Sequence, residues 1–479
     1  MTRTGTAWLV WLLATLAGAG VLASGMLLGG PMRANLLIGT TTSGHHHIEL
    51  ACEACHTTPF AGREAIQKAC VGCHGEDLKL AKDSHPAKKF TDPRNADRLL
   101  KLEATQCVTC HTEHRAEITR AMGVTLPGDF CALCHQSIGN DRPSHRGLSF
   151  STCADAGCHN YHDNRALYED FLEKHAAAPP VHPEAVVKLR ADPPPRTPAR
   201  ESIRDAGMAD APLARTGGPE IARDWLATAH AAAGVNCSGC HAPQAKSPER
   251  IAEDWVERPD HTVCGKCHAS QARTFTEGRH GMRLAAGLKA RQAGLFGLFR
   301  DEPLSPMRPE LARASMSQNA GGIELGCTTC HAAHAFDTAK AEVELCLGCH
   351  SDEHSRAYVG SPHHRLWKAE LSGTAPAGSG VSCATCHLPR QSHEDPDSGE
   401  ERLVVDHNQN STLRPNEKMI RAVCMDCHGL GFALDALADP KSISSNFAGP
   451  PSARVESIQW VEKRRKAREG QGAGEGGTN

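Results

Sequence analysis

The pentapeptide Cys107-Val108-Thr109-Cys110-His111 shows the pattern that dominates this chain, which is two cysteines two residues apart with a histidine directly after them. The pattern C-x-x-C-H occurs ten times, and an eleventh copy, Cys153 to Cys158 with His159, has four residues between its cysteines. These copies account for all 22 cysteines of the 479-residue chain. The eleven motifs are Cys52, Cys55 and His56; Cys70, Cys73 and His74; Cys107, Cys110 and His111; Cys131, Cys134 and His135; Cys153, Cys158 and His159; Cys237, Cys240 and His241; Cys264, Cys267 and His268; Cys327, Cys330 and His331; Cys346, Cys349 and His350; Cys383, Cys386 and His387; and Cys424, Cys427 and His428.

This motif is the attachment signature of c-type haem, in which two cysteines form thioethers and the following histidine is an axial ligand of the iron. Three other interpretations explain the cysteines but not the histidines. Zinc ribbons do not need a histidine after every cysteine pair. Thioredoxin-like redox motifs would not recur eleven times without βαβ patterns, and a disulfide framework gives no reason for the histidine. We therefore expect eleven covalently bound c-type haems with their iron.

The rest of the composition agrees with a cofactor-filled interior. Aromatic residues make up 4% of the chain, which also holds 44 Gly and 29 Pro, and its mean hydropathy is −0.41. These values leave few large apolar side chains for a protein core. We predict a mainly α fold with much irregular structure and little β, whose core is built from packed haems. The formal charge of −3, made more negative by haem propionates, excludes nucleic acid as a natural partner.

Eighteen of the 29 histidines lie outside the motifs, which is enough to give every iron a second histidine ligand. Three of them follow a motif histidine by three residues and one by four, a spacing at which a histidine commonly ligates a neighbouring haem. The ten methionines show no fixed relation to the motifs. The predicted second ligands are His85, His114, His145, His162, His175, His230, His261, His280, His334, His354, His363 and His407, with further candidates in the cluster His45–His47 and at His182, His364 and His393.

An uncharged, mostly apolar run of 24 residues extends from Ala7 to Gly30. It is long enough to span a bilayer as a helix. We expect an uncleaved anchor in the inner membrane, with a signal peptide cleaved near Ala23 or Ser24 as the alternative. Both interpretations place the haem-bearing part in a bacterial periplasm.

The distribution of motifs and prolines predicts five segments. Residues 1–44 form the anchor and a short linker, residues 45–178 a pentahaem module, and residues 179–219 a Pro-rich linker. Residues 220–447 form a hexahaem module, and residues 448–479 a helix end with a Gly-rich tail. The best helical candidates are Leu99–Cys107, Asn164–His175, Glu220–Ala232, Arg279–Gly294 and Lys418–Ala436.

Two resemblances follow from these motifs. Residues 45–178 resemble cytochrome c3/c7-type modules, on the paired motifs in Cys107–His135, the site Cys153–His159 and the interspersed lone histidines. Residues 225–440 resemble the core of the octahaem hydroxylamine oxidoreductase family. That likeness is carried by four motif segments with their intervening histidines: Cys327–His331 with His334, Cys346–His350 with His354 and His363, Cys383–His387 with Val405-Asp406-His407-Asn408, and Cys424–His428.

The second half departs from that family in its catalytic parts. It has six motifs rather than eight, and no second motif lies directly before Cys327. No tyrosine follows Tyr358, so the resemblance implies a scaffold without the family's catalytic haem and tyrosine. We identify no catalytic residue, and expect an electron carrier between the quinol pool or a quinol dehydrogenase and periplasmic redox proteins. The alternative is a multihaem oxidoreductase that acts on a small nitrogen or sulfur compound at one open haem.

Overall fold

The computed structural model describes residues 3–28, 38–58, 62–142, 145–147, 159–163, 169–187, 202–215, 218–293, 299–394, 401–413 and 417–472. Cys153 and Cys158 lie outside the described residues, as do residues 188–201 of the predicted Pro-rich linker and most of the Gly-rich tail. Helices predominate and strands are few among the described residues, which confirms the predicted fold class.

The chain divides into two compact units. The first unit comprises Met1–Gln136, Tyr161–Asp163 and Arg283–Ser305, and the second comprises Ser137–Asn160, Asn164–Met282 and Pro306–Asn479. Four motifs belong to the first unit, whereas His159 belongs to the second. The domain boundaries predicted from the sequence stay a prediction.

In the first unit, short helices alternate with irregular segments. Its helices are Arg3–Leu28, Cys52–Cys55, Arg63–Leu80, Ala87–Phe90, Ala96–Lys101 and Cys107–Cys110, with 3-10 turns at His46–Ile48, Pro93–Asn95, Ala121–Gly123 and Phe130–Leu133. An antiparallel hairpin pairs Lys289–Ala293 with Phe299–Pro303. The helix predicted over Arg279–Gly294 is therefore wrong. Within this segment, Gly287 has a φ of 84°, a left-handed conformation that interrupts a helix before the strand begins.

The second unit has the same character. Its helices are Ile138–Asp141, Glu169–His175, Pro219–Leu226, Ala229–Ala232, Cys237–His241, His261–Gly265, Ala269–Glu277, Cys327–Cys330, Thr338–Glu342, Glu344–Cys349, Glu353–Tyr358, Pro362–Leu371, Cys383–His387, Asn410–Leu413, Glu417–Ala422, Leu430–Ala438, Pro440–Ser444 and Glu456–Gly472. Its strands Arg390–Glu394 and Glu401–Val405 form an antiparallel hairpin. Further 3-10 turns lie at Ala206–Met208, Leu213–Arg215, Pro248–Arg250, Pro309–Leu311, Gln318–Ala320 and Cys424–Asp426, and the turn Met282–Leu284 lies where the chain passes from this unit to the first.

Most described motifs form a single helical turn. The backbone N–H of His56 donates to the carbonyl of Cys52 at 2.8 Å, and His331 donates to Cys327 at 2.9 Å. Residues three apart on a helix lie on one face. The turn therefore brings both cysteine side chains to one side, and the histidine follows directly at its end.

Apolar side chains form small separate clusters within the second unit. The largest contains Leu172, Ile420, Leu430, Ala433, Leu434, Ile458 and Val461. A second contains Ile203, Trp225 and Ala231, and a third Val343, Tyr358 and Trp367. Clusters of this size agree with an interior in which bound cofactors supply much of the apolar contact.

The amino-terminal helix Arg3–Leu28 includes a stretch, Thr4–Leu22, with a mean hydropathy of 1.7. Its length and composition suit a membrane span, and a signal sequence has the same properties.

Candidate haem-binding sites

Each motif histidine has the ring of a non-motif histidine opposite its own. The ring centroids of the eleven pairs are 5.8–6.5 Å apart. The pairs are His45 with His74, His56 with His114, His85 with His135, His111 with His162, His145 with His159, His230 with His268, His241 with His334, His280 with His350, His331 with His407, His354 with His387, and His363 with His428.

This separation suits two imidazoles on opposite sides of one metal ion. A metal–imidazole nitrogen bond is about 2 Å, and the ring centre lies about 1.1 Å beyond the nitrogen, so two opposed rings have centroids about 6 Å apart. In the ten motifs whose cysteines the structure describes, these cysteines adjoin one ring of the pair. The residues therefore fit a covalently attached haem with two histidine ligands.

The motifs that end in His135 and His268 depart from the single helical turn in their local structure. The 3-10 turn Phe130–Leu133 ends one residue before Cys134, and the helix His261–Gly265 ends two residues before Cys267. The backbone N–H groups of Cys134 and Cys267 still donate to the carbonyls of the first cysteines of their motifs, at 3.2 Å in each case. The spacing of the two thiols is thus kept, although the second cysteine of each motif lies beyond the regular element.

The side chain of Cys267 is exposed, as are those of Cys73 and Cys330, whereas that of Cys134 is half-buried like those of the other described motif cysteines. His268 lies directly before the helix Ala269–Glu277, and its ring meets that of His230 edge to face at 6.0 Å and 88°. The position of His268 therefore fits a ligand of the iron.

Histidines that follow a motif lie opposite the histidine of another motif. His114, three residues after His111, faces His56 at 6.5 Å. His334, three residues after His331, faces His241 at 5.9 Å. His354, four residues after His350, behaves in the same way and faces His387. One local segment thus serves two sites and holds them together.

Two predicted second ligands lie elsewhere. The ring of His175 packs on Phe171 at 4.4 Å, and His261 begins a helix that is capped by Asp260. Neither is among the eleven opposed pairs of the described residues. From the cluster His45–His47, the structure places His45 opposite a motif histidine, whereas His46 and His47 lie edge to face with each other at 5.5 Å.

The Nδ1 atoms of many paired rings are bonded to backbone carbonyls. His114 is bonded to Gly39 at 2.9 Å and His241 to Val256 at 2.7 Å. Such a bond makes Nδ1 the donor and leaves Nε2 for a metal. The same arrangement holds for His85 with Tyr161, His111 with Gly123, His354 with Ile443, His407 with Val405 and His428 with Pro180.

Two paired rings are bonded to carboxylates instead. His45 Nδ1 lies 2.7 Å from Glu113 Oε1, and His162 Nδ1 lies 3.1 Å from Asp83 Oδ1. Sequence reasoning missed both carboxylates. Glu113 stands between His111 and His114 and offered a signal, whereas Asp83 is brought to His162 only by the fold.

Burial keeps several paired imidazoles neutral. Burial and the opposing ring of His428 lower the pKa of His363 to about 4. Burial, with the neighbouring rings of His354 and His350, also lowers the pKa of His387 to about 4. A histidine must be neutral to bind a metal, so these environments favour the ligating form.

The motifs of the first unit adjoin one another in chain order. Cys55 lies within electrostatic range of Cys73, and the side chains of Cys70 and Cys107 interact with each other.

Tyr161 links the third and fourth motifs. Its side chain interacts electrostatically with Cys110 of the third motif and with Cys131 and Cys134 of the fourth. Its ring also stacks on His85 at 4.2 Å. Tyr161 therefore lies near both the third motif and the fourth, which is the last motif of this unit.

The six later motifs, all in the second unit, also adjoin in chain order. The side chains of Cys264 and Cys327 interact with each other, as do those of Cys346 and Cys383. Electrostatic interactions complete the series between the remaining neighbours, which are Cys240 with Cys264 and Cys267, Cys330 with Cys346, and Cys386 with Cys427. Each motif from Cys237 to Cys424 therefore has the next one beside it.

Comparison with known proteins agrees with these sites. Residues 44–136 match the family model of cytochrome c3. The high-molecular-weight cytochrome c of Nitratidesulfovibrio vulgaris is 24% identical over 348 residues, which are 70% of this chain and 58% of that protein. The chain thus spans less than two thirds of this relative's length.

No solved structure matches the chain. The matches give no support to the resemblance of residues 225–440 to the hydroxylamine oxidoreductase family. The family match in residues 44–136 covers the first four motifs and three of their four paired histidines, His45, His85 and His114, whereas His162 lies beyond it. Residues 44–136 therefore form a cytochrome c3-type domain, and the wider chain is similar to a high-molecular-weight cytochrome c.

Proposed function

We propose that each of the eleven opposed histidine pairs binds the iron of one c-type haem, with the adjoining cysteines attached to its porphyrin. The single observation that carries this is the match of every motif histidine with one opposed ring at 5.8–6.5 Å. The pair of His145 and His159 extends the proposal to the stretched motif, whose ring separation of 6.0 Å equals that of ordinary motifs.

The function we infer is electron transfer outside the cytoplasm, where c-type haem is attached. Bound haem supplies a one-electron redox couple. The chain holds neighbouring sites in contact, as the thiols of Cys70 and Cys107 and of Cys264 and Cys327 illustrate. It also orients many of the paired rings through bonds to Nδ1, and the two histidines of each pair would hold the iron.

The partners that fit this function are the quinol pool or a quinol dehydrogenase on one side and periplasmic redox proteins on the other. The apolar helix Arg3–Leu28 supports an inner-membrane anchor, which would hold the protein beside its electron donor. Cleavage of this helix as a signal peptide would instead release a soluble periplasmic carrier.

The alternative, an oxidoreductase acting on a small nitrogen or sulfur compound, requires an iron with a free sixth position. Under the proposed ligation, an imidazole occupies that position at all eleven sites. The opposed rings therefore favour the carrier over the enzyme.

The test uses the full-length protein in membrane vesicles. We expect eleven haems per chain by haem assay, full reduction by a quinol, and no reduction by hydroxylamine or sulfide. The matched control replaces Cys153 and Cys158 by Ala and should contain one haem fewer. Reduction by hydroxylamine with no response to a quinol would overturn the carrier proposal in favour of the oxidoreductase.

A further inference from the structure

Two carboxylates in the first unit are hydrogen-bonded to paired histidines. In other pairs, a neutral backbone carbonyl takes this place. Glu113 Oε1 lies 2.7 Å from His45 Nδ1, and Asp83 Oδ1 lies 3.1 Å from His162 Nδ1. The rings opposite them are those of His74 and His111. Both carboxylates thus act on the second ligand of a site rather than on its motif histidine.

Neighbouring groups hold the Glu113 carboxylate in place. The backbone N–H of Thr42 donates to Oε2 at 2.7 Å, and the Thr42 hydroxyl donates to Oε1 at 2.8 Å. The Glu113 side chain is 27% exposed, so water screens its charge only in part.

Asp83 is held in a similar way. Its Oδ1 accepts the backbone N–H of His85 at 3.0 Å, and the next residue, Ser84, donates its N–H to the His162 carbonyl at 2.9 Å. The side chain is 15% exposed. The segment carrying His85 and the segment carrying His162 therefore brace each other around this carboxylate.

We propose that Glu113 and Asp83 are positioning residues that lower the midpoint potentials of two haems, the one bound by His45 with His74 and the one bound by His111 with His162. The proposal rests on the ligation proposed above. A carboxylate acceptor on Nδ1 increases electron donation from the imidazole to its metal, and hydrogen-bond partners of metal-binding histidines tune metal sites in this way. The negative charge also stabilises the oxidised state, which carries one more positive charge than the reduced state.

The two tuned sites are neighbours. The side chains of Cys70 and Cys107, which belong to their motifs, interact with each other. Both sites belong to the second and third of the four motifs of this unit, which adjoin one another in chain order. The carboxylates therefore create a low-potential segment in the middle of the four sites, and electrons held by this unit reside preferentially on the flanking sites.

The test measures midpoint potentials of the full-length holoprotein by redox titration monitored by electron paramagnetic resonance. The variants Glu113→Gln and Asp83→Asn keep side-chain size and remove the charge. Each should weaken the preference of one haem for the ferric state about tenfold, which raises its potential by about 59 mV. The double variant should move two haems.

The matched control is Asp77→Asn. The Oδ2 atom of Asp77 is 3.9 Å from His74 Nδ1, beyond hydrogen-bond distance, and its side chain is 74% exposed. This variant should leave all potentials unchanged, because water screens an exposed carboxylate.

The outcomes separate this inference from the ligation on which it rests. Low-spin signals retained in both charge-removing variants, with all potentials unchanged, overturn the tuning role and leave the ligation standing. The other outcome is a wild-type protein that already shows a high-spin signal, which His45→Gly or His162→Gly does not increase. In that case His45 or His162 binds no iron, and both the tuning role and the ligation are overturned.

Discussion

Replacement of His280 by glycine should open one haem to external ligands. The ring of His280 lies 6.1 Å from that of His350, and burial lowers the pKa of His350, which keeps it neutral. Half of this separation, about 3 Å, is the distance expected from a ring centre to a bound metal. Removal of the ring therefore leaves a space that water or free imidazole can enter.

The surrounding backbone should keep its position in this variant. Arg279 donates its backbone N–H to the Gln409 side chain at 2.9 Å and its Nε–H to Asn410 at 3.1 Å. Neither bond involves the His280 ring. The segment should thus preserve the space instead of collapsing into it.

We expect a high-spin signal from one haem in eleven in the oxidised His280→Gly protein, measured by electron paramagnetic resonance. Millimolar imidazole should return this haem to the low-spin state. Its midpoint potential should rise on the order of 0.1 V without imidazole, since axial ligands set potentials over a range of about 0.8 V. The control His261→Gly, which removes a histidine outside the eleven pairs, should retain the wild-type spectrum. An unchanged low-spin spectrum in His280→Gly would refute the assignment of this ligand.

Three further predictions concern packing and cofactor dependence. Trp225→Ala should lower the free energy of unfolding by about 3–5 kcal/mol, measured by denaturant titration, because Trp225 is 6% exposed in its apolar cluster. Gly281→Ala should shift one midpoint potential, since a Cβ at this position would overlap Phe275 and displace the adjacent His280; unchanged potentials would contradict that placement. The chain expressed without haem attachment should lose most of its helical circular dichroism, because iron ligation contributes directly to folding.

The sequence was sufficient to predict the motifs and the fold class but not the choice between adjacent histidines. His363 and His364 follow each other in the helix Pro362–Leu371, where successive residues differ by about 100° in direction. His363 faces His428, whereas His364 Nδ1 accepts the backbone N–H of Gly360. Only the orientation of the whole helix decides which one faces the motif.

The same limit applies to the cluster His45–His47. His45 is selected through Glu113, 68 residues away in the chain, and no local pattern encodes that contact. His175 and His261 show the opposite case, because both satisfied the sequence criteria and yet lie away from the opposed pairs. Spacing from a motif was the better guide, since His114 and His334 lie opposite motif histidines.

The local structure of a motif was also beyond the sequence. The pentapeptides that contain Cys110 and Cys267 have the same spacing, yet Cys110 ends a helical turn whereas Cys267 lies past the end of one and is exposed. The residues before each motif decide this difference. Asp260 caps the helix His261–Gly265, which therefore begins three residues before Cys264 and ends before Cys267.

The most direct test of the central claim, that histidine occupies both axial positions at every haem, is electron paramagnetic resonance of the oxidised full-length protein with and without nitrite and hydroxylamine. The opposed rings predict low-spin signals only, integrating to eleven haems and unchanged by either compound. A high-spin component of about one haem that shifts when either compound is added would contradict the claim and identify an open site.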